Sequence, residues 1–219
     1  MVKKYSHVFW DWNGTLLNDL EWSFDVLNRM LTRRRMRPLQ DISAYHKVFG
    51  FPIKEYYKKV GFDFEKEPYE EVAQEFVELY YQNKTGGCLL SDGAEELLEL
   101  LKGNGINQVV LSASKESNLV AQIDDFQISD YFQDILGIKD IYGGSKIEIG
   151  SDYISRESVY KGVLIGDTNH DYEVARAMGV DCILIASGHQ SKERLLECGV
   201  PVFDNLAQIN SIEGWEFTP

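Results

Sequence analysis

The sequence predicts an α/β protein in which a doubly wound parallel sheet carries an all-helical segment inserted near its start. Three observations predict this fold class. The chain has 219 residues, which is more than one small domain needs and less than two full-sized domains need. Apolar residues at helix spacing fill residues 19–81, and helix and strand patterns alternate after that segment. We therefore expect a core built from residues 1–16 and 87–219, with a helical cap over residues 17–86.

The first expected element is a short buried strand. His7–Trp10 is a run of strand formers, and the turn-forming pair Asn13 and Gly14 follows soon after it. Such a strand would deliver Asp11 to a loop at its carboxyl end.

The cap segment has a helical pattern throughout. Leu20, Phe24, Leu27 and Leu31 recur at helix spacing, as do apolar residues between positions 72 and 79. Five prolines and glycines between residues 38 and 68 interrupt the pattern. We therefore expect several short helices rather than one long helix.

The rest of the chain alternates between helices and strands, as a parallel sheet with helices on both faces requires. The expected strands are Gln108–Leu111, Ile135–Leu136, Val163–Ile165, Cys182–Ile185 and Pro201–Phe203. The expected helices are Gly93–Lys102, Glu116–Phe126, Tyr172–Met178 and Lys192–Cys198.

Composition excludes several classes of partner. The 35 acidic and 22 basic residues give a formal charge of −13, which repels polyanions and anionic lipid surfaces. The three cysteines lie far apart in the sequence, as is typical of reduced thiols. The apolar run before Asp11 is too short for a signal peptide, and no stretch is long enough to cross a bilayer. We expect a cytoplasmic monomer or small homo-oligomer with no nucleic-acid or membrane partner.

Three of the expected strands end in polar residues, namely Asp11, Ser112 and Asp167. The carboxyl ends of parallel strands meet at one edge of a sheet, where ligands bind in folds of this class. Two carboxylates in a partly buried site need a countercharge. Mg²⁺ suits carboxylate and carbonyl oxygens and leaves room for a substrate phosphate, so we expect Mg²⁺ as the cofactor.

Four stretches resemble the motifs of the haloacid dehalogenase superfamily, in the order in which that family has them. They are Val8–Leu16, Val109–Ser112, Lys146 after Gly143 and Gly144, and Val163–Asp171. The resemblance spans nearly the whole chain and implies a Rossmann-like core with a C1-type cap. It also implies a phosphatase that acts through an aspartate nucleophile on a small phosphorylated metabolite. The fourth stretch is most similar to phosphoglycolate phosphatases, which makes phosphoglycolate the first candidate substrate.

The resemblance also implies roles for individual residues. Asp11 would be the nucleophile and a metal ligand, and Asn13 would offer its backbone carbonyl to the metal. Lys146 would neutralise charge, although Lys139 is an alternative for this role. The implied metal ligands are Asp11, Asn13, Asp167 and Asp171, and the implied phosphate contacts are Thr15, Ser112, the amide of Ala113, and Lys146.

Asn13 departs from the pattern, because phosphatases of this family usually have a second aspartate there. An amide cannot protonate a leaving alkoxide or deprotonate a water. We expect alkyl phosphates to be slow substrates and aryl or acyl phosphates to be affected less. Asn13→Asp is then expected to speed the hydrolysis of alkyl phosphates in particular, unless His170 or a cap residue already substitutes.

Other interpretations stay open at this point. The change at Asn13 is compatible with an impaired protein that binds phosphorylated metabolites or a protein partner. The run Ser112–Lys115 resembles sugar-phosphate mutases of the same superfamily. The arginines at positions 33–37 are expected on a solvated helix end, with an anion-attracting rim of the cap as the alternative. Tyr56, Tyr57, Tyr80 and Tyr81 are expected to pack the cap.

Overall fold

The computed structural model describes residues 5–82, 87–139, 145–157 and 159–211. Its centre is a six-stranded sheet in which every pair of neighbouring strands is parallel. The strands are β1 (His7–Trp10), β4 (Asn107–Lys115), β5 (Asp134–Ile138), β6 (Gly162–Gly166), β7 (Asp181–Ile185) and β8 (Val202–Phe203). Their order is β5-β4-β1-β6-β7-β8, which confirms the predicted α/β fold with a parallel sheet.

Strand β1 lies at the middle of this sheet, between β4 and β6. All four of its residues are buried, because helices cover both faces of the sheet. Val8 and Trp10 pack into the apolar cluster on one face, and Phe9 packs into the cluster on the other. This alternation is the period of two that a strand imposes. The strand therefore holds Asp11, the next residue, at a fixed place on the sheet edge.

Within the described residues, five helices surround the sheet: α5 (Ala94–Gly103), α6 (Glu116–Asp125), α7 (Lys146–Arg156), α8 (Asn169–Met178) and α9 (Lys192–Leu196). Short 3₁₀ segments lie at Ser129–Tyr131 and Leu206–Ser211. Helices α5, α6, α8 and α9 correspond to predicted helices, with ends that differ by at most three residues. Among the described residues, no helix is both long and apolar enough to span a bilayer.

Helix α7 is not predicted from the sequence, because Gly150 lies in its interior and glycine favours loops. The structure explains this glycine by packing. A Cβ atom at this position would lie 2.5 Å from Sδ of Met178 and 2.9 Å from a methyl carbon of Leu111. The missing side chain lets α7 approach both α8 and the sheet.

The inserted segment forms four helices: α1 (Leu20–Arg33), α2 (Ile42–Val48), α3 (Ile53–Lys59) and α4 (Tyr69–Tyr81). They enclose a third apolar cluster that includes Tyr56 and Tyr57, in agreement with the expected packing role of these rings. A two-stranded antiparallel ribbon that the sequence does not predict joins the segment to the core: β2 (Leu17–Asn18) pairs with β3 (Leu89–Leu90). The division into core and cap at residues 16 and 87 stays a prediction.

The arginine cluster of the cap differs in part from the expectation of a solvated helix end. Arg34 is largely buried, and its guanidinium lies 2.5 Å from carboxylate oxygens of both Glu67 and Glu75. Arg33, at the end of α1, lies 3.0 Å from Glu75 of α4. These ion pairs connect α1 to α4, so Arg34 stabilises the cap.

Candidate active site

Three carboxylates meet at the carboxyl ends of the central strands. Asp11 follows β1, Asp167 follows β6, and Asp171 lies in the first turn of α8. Each of them offers an oxygen atom within 4.8 Å of the other two. The structure thus brings together three side chains that are separated by up to 160 positions in the chain, as the parallel sheet predicts.

Lys146 joins this cluster as the first residue of α7. Its Nζ donates hydrogen bonds to Oδ1 of Asp11 at 2.6 Å and to Oδ1 of Asp171 at 2.5 Å. The side chain is 3% exposed. Lys139, the other lysine that the sequence left open, is exposed just after β5. Of the two candidates, the structure places Lys146 in the cluster.

The charges of the cluster do not balance within the protein. Burial raises the pKa of Asp11 to about 6, even though Lys146 opposes this shift. Burial, with Asp11 and Asp171 nearby, also holds the pKa of Asp167 well above its usual value. Burial acts in the same direction on Asp171, but Lys146 and Thr168 keep the pKa of that carboxyl below normal. When all three carboxyl groups are ionised, as metal ligands are, the one ammonium group leaves two negative charges uncompensated.

A divalent cation of oxygen-binding type fits this set. The uncompensated charge equals that of one Mg²⁺, and carboxylate oxygens are the ligands that Mg²⁺ prefers. The carboxylates of Asp11, Asp167 and Asp171 would hold it.

Glycine and threonine shape the loop after β1. Gly14 has a φ of +73°, and an added Cβ would lie 2.3 Å from Oδ2 of Asp167. Thr15 is fully buried, and its Oγ1 lies 3.5 Å from Oδ1 of Asp167. The phosphate contact of Thr15 stays a prediction, and in this structure its hydroxyl lies near a carboxylate inside the protein.

Thr168 orients Asp171 at the start of α8. Its hydroxyl donates to Oδ2 of Asp171 at 2.7 Å, and its backbone N–H donates to the same oxygen at 3.0 Å. This reciprocal capping box satisfies amide groups that would otherwise lack partners. It leaves Oδ1 of Asp171 directed at Lys146.

Strand β4 carries Ser112 and Ala113, the two residues of this strand that are predicted to contact phosphate. It extends to Lys115, beyond the expected end at Leu111, with an irregular register over its last residues. Ser112 is buried, and its Oγ accepts a hydrogen bond from the N–H of Ser114 at 3.1 Å. Ser112 and Ala113 line the same cavity as Asp11.

The side chain of Asn13 is held on both sides. Its Nδ2 donates to Oδ2 of Asp19 and to the hydroxyl of Tyr80, both at 2.9 Å. Its Oδ1 accepts from Oγ of Ser114 at 2.8 Å. These contacts fix the amide group, and both of its hydrogens are engaged.

Asp19 is a buried site residue that the sequence does not reveal. Its position just before α1 suggests an N-cap, yet its side chain makes no capping hydrogen bond. Instead its carboxylate accepts from the hydroxyl of Tyr80 at 2.6 Å and from the N–H of Gly14 at 2.7 Å, and Oδ1 lies 3.1 Å from Nε2 of His189. Burial acts to raise the pKa of Asp19, but His189 and these hydrogen bonds hold it below its usual value.

His189 connects the carboxylate cluster to the cap. Burial lowers its pKa, but Asp19 outweighs burial and raises it to about 9, so the imidazole carries a proton at pH 7. Its backbone N–H donates to Oδ2 of Asp167 at 2.5 Å, and its Nδ1 lies 3.0 Å from the hydroxyl of Tyr45. The signal in the sequence is its place after β7, on the same sheet edge as the other site residues.

A cavity of about 250 Å³ lies between the carboxylate cluster and the cap. His170, considered above as a substitute proton donor, lies on its wall and stacks on Phe51 with a ring separation of 4.4 Å. Its Nδ1 lies 3.3 Å from the carboxylate of Glu173.

The protein is thus an α/β protein with a helical insertion and a carboxylate cluster at the edge of its parallel sheet. Residues 8–185 match the haloacid dehalogenase-like hydrolase family, and the chain belongs to that family. A phosphoglycolate phosphatase from Rhodospirillum rubrum is 24% identical over an alignment of 221 positions, gaps included, which covers 95% of this chain and 90% of that protein.

Solved structures share the fold. A haloacid dehalogenase-like family protein from Streptococcus pneumoniae has a TM-score of 0.81 at 16% identity, over 94% of this chain and 97% of that chain. CbbY from Rhodobacter sphaeroides, solved in complex with phosphate, has a TM-score of 0.72 at 17% identity, over 94% of this chain and 96% of that chain.

Proposed function

We propose that the protein is a magnesium-dependent phosphatase that hydrolyses a small phosphomonoester through an aspartyl-phosphate intermediate. The observation that carries the proposal is the cluster of Asp11, Asp167, Asp171 and Lys146 at the sheet edge. Membership of a hydrolase family with phosphatase relatives supports the same reaction.

In this proposal a carboxylate oxygen of Asp11 attacks phosphorus, and water later hydrolyses the acyl phosphate. Lys146 neutralises negative charge on Asp11 and on the transferred oxygens. Its ammonium group is already in position, so it does not have to reorient during the reaction. The hydroxyl of Ser112 and the amide of Ala113 contact the phosphate. Asp167, Asp171 and the backbone carbonyl of Asn13 hold Mg²⁺ together with Asp11. Bound Mg²⁺ supplies Lewis-acid neutralisation of the phosphate oxygens.

We also propose that residues 17–86 act as a lid over a core formed by residues 1–16 and 87–219. The cap touches the site at several places, among them Tyr80 on Asn13 and Tyr45 on His189. The ribbon of β2 and β3 offers a short connection about which the cap could rotate. Closure would exclude water from the site, as lids do in other enzymes.

The proposed substrate is a small phosphorylated metabolite in the cytoplasm. The formal charge of −13 and the three free cysteines support that setting. Phosphoglycolate is the first candidate because of the Rhodospirillum rubrum relative. The second candidate function is binding of phosphorylated metabolites with little turnover, which the fully engaged amide of Asn13 favours.

The test combines metal binding with turnover. Titration calorimetry with Mg²⁺ should show binding to the native protein and loss of binding in Asp167→Asn. Phosphate release from acetyl phosphate, whose leaving group needs no proton, should require Mg²⁺ and should fall by at least about 10³-fold in Asp11→Asn. The matched control is Asp92→Asn, which changes an exposed aspartate outside the cap. Full turnover by Asp11→Asn would refute the proposal, and Mg²⁺ binding without turnover would favour the second candidate.

A further inference from the structure

The wall of the cavity that faces the carboxylate cluster is aromatic. Helices α2, α3 and α4 and the loop after α2 supply its rings, among them Phe51, Tyr57 and Phe76. Among the described residues that line the cavity, the cap contributes no lysine, arginine or histidine. The phosphate end of the cavity is therefore strongly charged, whereas the end that would receive the rest of the substrate is not.

Two of the tyrosine hydroxyls on this wall already have polar partners. The hydroxyl of Tyr80 donates to Asp19 and accepts from Nδ2 of Asn13, and the hydroxyl of Tyr45 lies 3.0 Å from Nδ1 of His189. The contacts with Asn13 and His189 hold the cap to the core, so these two residues offer a substrate mainly their rings. Aromatic rings bind other rings through stacked or edge-to-face contacts and have no preference for a carboxylate.

The cations of the site are largely committed. Lys146 is paired with Asp11 and Asp171, and His189 is paired with Asp19. Of the lysines among the described lining residues, this leaves Lys115 at the exposed end of β4. Phosphoglycolate would place a second anion, its carboxylate, against the aromatic wall. The aromatic wall of the cap offers that charge no cationic partner, and burying a charge without a partner is costly.

Asn13 gives an independent reason to look for an unusual leaving group. Its amide cannot donate a proton to a departing oxygen, and both of its hydrogens already bond to Asp19 and Tyr80. Asp19, the nearest carboxylate, is occupied by His189 and Tyr80. A substrate suited to this site therefore has a leaving group that departs as a stable anion.

We propose that the substrate is an aryl phosphomonoester, in which an uncharged aromatic ring fills the cap side of the cavity and a phenolic oxygen is the leaving atom. This inference rests on the proposed phosphatase function and names its substrate class. The ring matches the aromatic wall. A phenolic leaving group does not need the proton donor that this site lacks. Phenols have a pKa near 10, whereas water, and alcohols of similar acidity, have a pKa of about 15.7.

The reaction balances without a donated proton. A bond forms between an oxygen of Asp11 and phosphorus, and the bond between phosphorus and the aryl oxygen breaks with its electron pair leaving on the phenolate. Water then attacks phosphorus, and the bond between phosphorus and the Asp11 oxygen breaks with its electron pair leaving on the carboxylate. The second product is phosphate, which carries the oxygen and both protons of the water until it exchanges protons with solvent. The phenolate takes up its proton from solvent.

The experiment compares kcat/KM for five compounds in the presence of Mg²⁺: phenyl, benzyl, ethyl and acetyl phosphate, and phosphoglycolate. Phenyl and benzyl phosphate both carry a ring, and we expect phenyl phosphate to be faster by about 10²-fold or more, because only benzyl phosphate needs a proton at its leaving oxygen. Benzyl and ethyl phosphate both leave as alkoxides, and we expect the ring to give benzyl phosphate an advantage of about 10-fold. Phosphoglycolate should show no advantage over ethyl phosphate.

A cap variant tests where the ring binds. Phe51 lines the cavity from the loop after α2 and is 36% exposed, so Phe51→Leu should not prevent folding. It should reduce the ratio of benzyl to ethyl phosphate kcat/KM by about 3- to 10-fold. Tyr160→Leu removes an aromatic ring that is 88% exposed and does not line the cavity, and it should leave the ratio unchanged.

The outcomes separate this inference from the proposed function. If acetyl phosphate is hydrolysed and phosphoglycolate exceeds benzyl phosphate in kcat/KM, the aryl substrate is overturned while the phosphatase function stands. If none of the five compounds releases phosphate, both are overturned. If the ratio for Phe51→Leu equals that of the native protein, the ring does not bind at this wall.

Discussion

Replacement of Asn13 by aspartate gives the sharpest test of the site, because the structure changes what the sequence alone leads one to expect. Nδ2 of Asn13 lies 2.9 Å from Oδ2 of Asp19 and donates a hydrogen bond to it. In Asn13→Asp a carboxylate oxygen would take that place. Two carboxylates would then face each other inside the protein, so the single substitution cannot simply add a general acid.

The magnitude follows from the distance. Two unit charges about 3 Å apart repel each other by about 6 kcal/mol at an effective dielectric constant of about 20. Keeping one of the two carboxyl groups protonated at pH 7 costs about 4 kcal/mol, since each pH unit above the usual pKa of aspartate costs about 1.4 kcal/mol. Keeping one carboxyl group protonated therefore costs less free energy than ionising both. We therefore expect Asn13→Asp to lower the free energy of unfolding by up to about 4 kcal/mol at pH 7.

The same reasoning fixes the pH dependence. The introduced carboxyl group has a higher pKa in the folded state than in the unfolded state, so the folded state binds more protons. Stability relative to the native protein must then decrease as pH rises from about 4, and the loss should be only about 1.5 kcal/mol at pH 5. Urea unfolding of Asn13→Asp and of the native protein at pH 5, 6 and 7 measures this trend.

A compensating substitution provides the control. Asn13→Asp combined with Asp19→Asn restores one amide facing one carboxylate, with the donor and acceptor exchanged. We expect a double-mutant cycle to give a coupling energy of about 2–4 kcal/mol at pH 7. We expect the double variant, rather than Asn13→Asp alone, to raise the turnover of benzyl phosphate relative to phenyl phosphate. Equal stability losses for Asn13→Asp at pH 5 and pH 7, with no coupling to Asp19, would refute the reasoning.

Three further predictions concern stability. Lys146→Met leaves buried carboxylates without their ammonium group and should lower the free energy of unfolding by about 3–5 kcal/mol without Mg²⁺ and by less with it, whereas Lys139→Met, at an exposed position, should have little effect. Gly14→Ala should lower the melting temperature more than Gly105→Ala, because both glycines have positive φ but only at Gly14 would the new Cβ meet Asp167; equal shifts would show that the backbone angle alone matters. His189 has its pKa raised to about 9 in the folded protein, so its pair with Asp19 contributes stability below about pH 6.5 that is lost as pH rises toward 9. Urea unfolding of the native protein should therefore show a loss of up to about 3 kcal/mol between pH 6.5 and pH 9, and a His189→Gln variant with the same slope would contradict this prediction.

The sequence predicts much of the carboxylate cluster at the sheet edge because of where its residues lie relative to strands. Asp11 and Asp167 directly follow apolar runs of strand formers, and a parallel sheet brings such positions together whatever their separation in the chain. Lys146 could be named from the resemblance, but its choice over Lys139 needed the position of α7. The sequence does not predict that helix, because Gly150 lies in its interior. The reason for this glycine is its packing against Met178, a residue far away in the sequence.

Asp19 and His189 could not be predicted from local patterns. Their contact joins residues that are 170 positions apart, and neither local sequence has a period that demands it. Asp19 before a helix is ordinarily an N-cap, and only the tertiary structure shows that its carboxylate is turned inward. The surroundings of Thr15 also depend on the tertiary structure, since its hydroxyl lies 3.5 Å from Oδ1 of Asp167, a residue 152 positions away.

An acid can be missing from a phosphatase site because turnover has been lost or because the substrate does not need it, and the other parts of the site bear on this choice. Lys146 and the three carboxylates keep an arrangement that is costly to bury and has no packing advantage over apolar residues. The cap encloses a cavity with an aromatic wall above that arrangement. If turnover had been lost, nothing would link the amide of Asn13 to the chemistry of the cap. A phenolic leaving group links them, because the same substrate property, an acidic aromatic alcohol, makes the proton donor unnecessary and fits the aromatic wall.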